Sequence, residues 1–262
     1  MIYLIARNIS NSSLTLRALL FALLALPISA LAENTLPQTI EKIRPSIVGV
    51  GTVMQTRSPP TSFRGTGFVV GDGLHIITNA HVVAPLLDVE HMEKLAIFIG
   101  RGELAQARQA TIISVDKDHD LAVLKIAGEP LPALTIGDSS TIREGESFAF
   151  TGFPIGMVLG LYPVTHRATV SAITPIVTPA HNAKELSVTM LRRIRSPFEV
   201  FQLDATAYPG NSGSPLYDIA TGKVIGIMNM VFVKGTKENA ITNPSGIAYA
   251  IPASYIQGIL KK

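Results

Sequence analysis

Gly210-Asn211-Ser212-Gly213-Ser214-Pro215 sets one serine between two glycines, in a stretch where the backbone can come close to a bound carbonyl. Glycine tolerates positive φ and carries no side chain, so N–H groups near Gly210 and Ser212 can converge on one point. A hydroxyl flanked by two such donors is the core of acyl-transfer chemistry. Gly/Asn/Ser/Pro clusters are also ordinary turns, so the stretch gains meaning only from partners elsewhere in the chain.

Two upstream segments supply those partners. Thr78-Asn79-Ala80-His81-Val82-Val83 follows the apolar run Gly67-Phe68-Val69-Val70 and the turn Gly71-Asp72-Gly73. Asp118-His119-Asp120-Leu121-Ala122-Val123-Leu124-Lys125-Ile126 sets an acid at the head of a strand-like run. A serine hydroxyl needs an imidazole to take its proton, and the imidazole needs a carboxylate to fix its tautomer. The chain order His81, Asp120, Ser212 has spacings of 39 and 92 residues. It is the order of chymotrypsin, and it differs from those of subtilisin and the α/β-hydrolases.

Gly65-Thr66-Gly67-Phe68-Val69-Val70, Thr78-Asn79-Ala80-His81-Val82-Val83, Asp120-Leu121-Ala122-Val123-Leu124-Lys125-Ile126, Gly210-Asn211-Ser212-Gly213 and Gly246-Ile247-Ala248-Tyr249-Ala250-Ile251-Pro252 together resemble the HtrA/Deg-type serine proteases. The phrases occur in that family's order across residues 40–259. The resemblance implies an all-β, chymotrypsin-like fold of two six-stranded antiparallel β-barrels, with the active site in the cleft between them and a short C-terminal helix. It implies His81, Asp120 and Ser212 as the catalytic triad, and Gly210-Asn211-Ser212 as the oxyanion hole with the amides of Gly210 and Ser212 as donors. It also places Thr206, six residues before the serine, at the base of the primary pocket. Ile247, Ala248 and Tyr249 are then its walls, and Ile227-Met228-Asn229 the strand that pairs with substrate. No acid stands at 206, so small or medium aliphatic residues are expected before the cut. Unfolded or damaged exported polypeptides are the implied substrates, and a homotrimer is implied by the resemblance alone.

Three features depart from the family pattern. Ser214 stands where a second glycine is usual. The loop Thr178–Pro197 is long and carries Lys184, Arg192, Arg193 and Arg195. The chain stops at Lys262, soon after the protease pattern, so no PDZ domain is expected.

Composition narrows the compartment and the chemistry. Residues 1–32 contain Arg7 and Arg17, no acids, the apolar run Ala18–Ile28 and the ending Ala30-Leu31-Ala32, the layout of a secretory signal peptide. That run is shorter than the ~20 residues a membrane-spanning helix needs, so a cleaved protein, periplasmic or secreted and with no membrane span, is expected, with an uncleaved N-terminal anchor as the alternative. Setting Arg7 and Arg17 aside from the 22 basic side chains leaves 20 against 19 acids. The net charge of +3 is therefore largely a targeting effect, and a nucleic-acid partner is not expected. With no cysteine, disulfides, thiolate nucleophiles and cysteine-ligated metals are excluded. His91-Met92-Glu93 lacks the second histidine of a zincin, so neither metal nor cofactor is expected.

Strand signals dominate. Ile47–Val53, Gly67–Val70, Ile76–Thr78, Leu95–Ile99, Ala110–Val115 and Ala122–Ile126 precede the Pro/Gly-bearing link Gly128-Glu129-Pro130-Leu131-Pro132. Ser147–Gly152, Ala168–Ile173, Phe198–Asp204, Leu216–Tyr217, Val224–Met230 and Gly246–Ile251 follow it. Helical signals are confined to Leu36–Ile43, Ala80–Leu87 and Pro252–Leu260. By pattern alone this fits a barrel or a sandwich. The expected division is 1–32 signal peptide, 33–127 first barrel with His81 and Asp120, 128–146 linker, and 147–262 second barrel with Ser212.

Rival assignments exist at each site position. Asp118 shares a face with Asp120 but sits in a turn, and His119 points to the opposite face from its neighbour. Ser214 is followed by Pro215. His75, His91, His166 and His181 have no motif around them. Three other functions remain open beside a general endopeptidase: a processing protease with a narrow substrate, a proteolytically silent chaperone-like module, and a serine esterase.

Overall fold

β-Branched and aromatic runs broken by glycine turns produce twelve strands among the described residues, and antiparallel pairing closes them into two barrels. The computed structural model describes residues 35–156, 160–176, 197–229 and 246–261. The expected signal segment and residues 178–196 of the basic loop lie outside the described residues.

After helix α1 (Leu36–Ile43) come β1 (Ile47–Val53), β2 (Thr61–Val70), β3 (His75–Asn79), the one-turn helix α2 (Ala80–Val83), β4 (Lys94–Ile99), β5 (Gln106–Asp116) and β6 (Leu121–Ile126). These six strands form a closed barrel in the order β1-β2-β3-β6-β5-β4. A second closed barrel contains β7 (Ser147–Gly152), β8 (Val164–Pro175), β9 (Glu199–Asp204), β10 (Pro215–Tyr217), β11 (Val224–Met228) and β12 (Ile247–Pro252), in the order β10-β11-β12-β9-β8-β7. Helix α3 (Ala253–Leu260) ends the fold. Sandwich packing, left open by the strand pattern, is thereby excluded.

Closure follows from the inward residues. Val48, Val50, Val69, Ile76, Ile97 and Leu124 fill the first barrel, and Phe148, Phe150, Val170, Phe201, Leu203 and Met228 the second. A third apolar cluster joins the two, with Phe68 and Leu121 from one barrel meeting Phe153, Tyr217 and Ile227 from the other. Helix α3 buries Ala253, Ile256 and Ile259, spaced on one face, into the same seam. Large aliphatic and aromatic side chains of this kind each contribute about 1.5–3 kcal/mol on full burial.

Several elements differ in length from the sequence expectation. Helix α2 ends at Val83 instead of running on to Leu87: Ala84 still has helical backbone, at φ −64° and ψ −33°, but Pro85 after it has no N–H to donate to a further turn. Strand β5 begins at Gln106 instead of Ala110, and β2 at Thr61 instead of Gly67. Most of their added residues are polar or half-exposed, so apolar runs do not reveal them. The cross-strand partners Ala107↔Phe98 and Ser62↔Thr52 hold them in the sheet.

A buried carboxylate ties the outer loops of the first barrel. Glu93 accepts from the Thr52 hydroxyl, from Arg57 Nη1 at 2.9 Å and from the Asp88 amide at 3.0 Å, with Arg64 Nη2 at 3.6 Å. The Thr52 hydrogen bond first, then the Asp88 amide and the two guanidinium groups, hold its pKa down at about 2. The folded chain thus keeps the ionised form to lower pH than the unfolded chain does. This stabilisation is complete above the ordinary carboxylate value of 4.5 and is lost as pH falls towards about 2. Glu93→Gln is expected to cost about 1–3 kcal/mol at pH 7, read by urea unfolding, with the deficit shrinking at pH 3. An equal deficit at both pH values contradicts this assignment.

Candidate active site

The register of β3 against β6 decides which side chains meet. Thr78 pairs with Ala122 and Asn79 with Leu121, so the residues just beyond, Ala80 and Asp120, lie side by side at one end of the first barrel. There the Asp120 carbonyl accepts from the Ala80 amide at 3.0 Å and from Asn79 Nδ2 at 3.1 Å. These bonds hold Asp120 at φ +55°, a conformation that aspartate tolerates better than most residues. The carboxylate is thereby turned onto the start of α2. Oδ1 accepts from the His81 amide at 2.8 Å, and Oδ2 lies 2.6 Å from His81 Nδ1.

A carboxylate can only accept, so Nδ1 of His81 carries the proton and Nε2 is left as the acceptor. Asp120 is buried while about a third of the His81 side chain is exposed. A further donor reaches Oδ2 from the other barrel, Asn229 Nδ2 at 2.6 Å. The sequence pattern places Asn229 on the substrate-pairing strand and gives no sign of this contact. Its own amide donates to the Tyr249 carbonyl at 2.9 Å, within the second barrel.

Ser212 sits in the turn before β10, pinned from both sides. Its carbonyl accepts from the Thr66 amide of β2 at 2.8 Å, and the next amide, Gly213, donates to the Met228 carbonyl at 3.0 Å. The approach is too close for side chains. A Cβ on Gly213, at φ +89°, would run into the Thr66 carbonyl, and one on Gly65 would lie 2.8 Å from Val82 and 3.0 Å from the Ser212 carbonyl. Val82 follows His81, so the Gly65 backbone is the surface on which both halves of the site rest. Among the described residues no hydrogen bond joins the Ser212 hydroxyl to His81 Nε2; such bonds are commonly loose in ligand-free hydrolases and tighten around substrate.

Within the serine turn the Asn211 amide is donated to the Tyr208 carbonyl at 3.0 Å. Of the three residues expected to form the oxyanion hole, Gly210 and Ser212 keep amides with no partner among the described residues. The Asn211 side chain is fully buried. Among the expected pocket residues, Ile227, Met228 and Ala248 are wholly buried in core packing and present no surface to a ligand. Thr206 and Tyr249 are half-buried and Ile247 is exposed, so these three keep surface accessible to a ligand.

The rival histidines are engaged elsewhere. His119 pairs with Asp116 at 3.0 Å and stacks on Tyr255, with ring centroids 4.4 Å apart. His75 and His91 pair with aspartates three residues away. His166 stacks on Phe150, where burial lowers its pKa. His81 alone among the described histidines is joined to a carboxylate distant in sequence.

Comparison with known proteins gives the family and the fold. The family model described as a trypsin-like peptidase domain matches residues 65–227, a span that contains His81, Asp120 and Ser212. A Halomonas elongata protein named "Probable periplasmic serine endoprotease DegP-like" is 31% identical over 188 residues, covering 72% of this chain and 32% of that protein. The rat protein "Serine protease HTRA3" is 31% identical over 235 residues, covering 87% of this chain and 44% of its own length. The chain thus spans under half the length of these curated relatives. Among solved structures, Deg5 superposes with a TM-score of 0.59 at 28% identity, covering 84% of this chain and 89% of that one.

Two glycines with left-handed backbone separate steric conflict from backbone strain. Gly71, at φ +64°, has nothing within 4 Å of an added Cβ, whereas Gly213 meets Thr66 and Thr78. Gly71→Ala is expected to cost about 1 kcal/mol, some 2–4 °C in Tm. Gly213→Ala should lower Tm several-fold further, measured by circular dichroism; equal losses contradict the packing described for the serine turn.

Proposed function

The chain belongs to the trypsin-like peptidase family, within its HtrA-type serine endopeptidases, and on that premise we propose that it hydrolyses peptide bonds in unfolded polypeptides with Ser212 as nucleophile. The observation that carries this reading is the buried Asp120 carboxylate, 2.6 Å from His81 Nδ1 and capped by Asn229 at 2.6 Å. A histidine locked in this tautomer keeps Nε2 as the ring's acceptor, the form a base for the Ser212 hydroxyl requires.

In this reading His81 Nε2 takes the Ser212 proton as Oγ attacks the scissile carbonyl carbon. The carbonyl oxygen becomes an oxyanion, held by the amides of Gly210 and Ser212. Collapse of that intermediate breaks the C–N bond, and His81 passes its proton to the departing amine. A water molecule then gives a proton to His81 and attacks the acyl ester; the C–Oγ bond breaks, the new carboxylic acid leaves, and His81 returns the proton to Ser212 Oγ. Asp120 stays ionised throughout and steadies the imidazolium.

Substrate preference follows from the accessible wall. Thr206 offers no negative charge to a basic side chain, and Ile247 and Tyr249 favour an aliphatic one. The residue 1–32 pattern and the periplasmic name of the Halomonas relative support action outside the cytoplasm.

Unfolded casein, incubated with the wild type and with Ser212→Ala and mapped by mass spectrometry, tests the reading. Cuts after Val, Ala and similar residues by the wild type alone are expected. Equal cutting by both proteins, or cuts confined to Lys and Arg, contradicts it.

A further inference from the structure

We propose that Thr66 is a positioning residue for this reaction, its buried hydroxyl holding the oxyanion-forming turn in the orientation that frees the Gly210 amide. The proposal rests on Ser212 being the nucleophile. Thr66 lies on β2 of the first barrel and is fully buried, yet its amide, carbonyl and hydroxyl are all engaged. Its amide donates to the Ser212 carbonyl at 2.8 Å, and its carbonyl accepts from the Thr78 hydroxyl at 2.7 Å.

The hydroxyl has two partners whose chemistry fixes its direction. The Phe153 amide, 3.1 Å away, can only donate, so the Thr66 oxygen accepts there. The hydroxyl proton must then go to the Gly210 carbonyl at 2.7 Å. In a planar trans peptide the carbonyl and the following N–H point in opposite directions. Holding the Gly210 carbonyl toward Thr66 therefore turns the Asn211 amide the other way, onto the Tyr208 carbonyl.

The preceding peptide is held by the same segment. The Ile155 amide donates to the Pro209 carbonyl at 2.7 Å, which turns the Gly210 amide away from residues 153–155. The Phe153 amide that docks on Thr66 is two residues upstream of this contact. Ile155 sits at φ +50°, a costly conformation for a β-branched side chain, and needs neighbours to hold it there. Thr66 and the edge-on contact of Phe63 with Phe153, centroids 6.1 Å apart, supply them. Gly210, at φ +102°, lacks the Cβ that would resist rotation of its peptides, so an external clamp is needed. One side chain from the first barrel thus grips the turn that carries the second barrel's chemistry.

Thr66→Val keeps the shape and removes the hydroxyl, and Thr66→Ser keeps the hydroxyl and removes the methyl. The measurement is kcat and KM for wild type and both variants on a fluorogenic peptide spanning a mapped casein cut, with Tm to establish folding. Thr66→Val is expected to lose roughly 10²–10³ in kcat, the scale of one oxyanion donor, with KM moving less than about threefold. Thr66→Ser should restore kcat to within about tenfold of the wild type. If Thr66→Val does not fold, Thr66→Ala takes its place with the same expectation. Wild-type kcat without the hydroxyl, or a defect in Thr66→Ser as large as in Thr66→Val, overturns the assignment and leaves the endopeptidase reading intact. A wild type that cuts nothing strikes that reading, and this assignment with it.

Discussion

The hydrogen bond from the Thr66 amide to the Ser212 carbonyl is the contact that ties the serine turn of the second barrel to the first. Each barrel alone holds only part of a site. His81 and Asp120 come from the β3–β6 end of the first barrel, and Ser212 and Asn229 from loops of the second. Backbone contact at β2 fixes the spacing between the two sets, and it is possible only because Gly65 and Gly213 carry no side chain where the strands meet. The apolar seam of Phe68, Leu121, Phe153 and Tyr217 supplies the driving force, and the polar contacts set the register.

The polar order inside this seam explains why charge can be kept there. Asp120 is buried, a placement that is costly for a carboxylate without partners. Here it receives the His81 amide, the His81 ring and the Asn229 side chain. Glu93 follows the same rule on the outer face of the first barrel, where Thr52, Asp88 and Arg57 satisfy it. The two acids serve different ends. Asp120 holds a histidine in one tautomer, and Glu93 ties loops together.

Much of this is legible in the sequence. β1, β7 and α1 appear with the bounds that their β-branched or amphipathic runs suggest, and the order of His81, Asp120 and Ser212 points to the two-barrel architecture. What stays hidden depends on long-range pairing. Asn229 lies 109 residues from Asp120, and no local pattern marks an asparagine at a strand end as a carboxylate partner. Thr66 reads as an ordinary strand former, and only the packed barrels show its hydroxyl meeting Gly210, 144 residues away. Burial of Ile227, Met228 and Ala248 is likewise invisible, because an apolar residue on a barrel strand reads the same whether it faces the core or a pocket.

The central claim is that Ser212 is activated by the His81–Asp120 pair. Its most direct test is the rate at which a fluorophosphonate labels the folded protein, with the adduct located by mass spectrometry, for the wild type and Asp120→Asn. A single adduct on Ser212 is the predicted result in the wild type. Labelling should slow by about three to four orders of magnitude in Asp120→Asn, on the scale of the loss in chymotrypsin when the same change leaves the histidine in the wrong tautomer. An adduct on another residue, or equal rates in the two proteins, contradicts the claim.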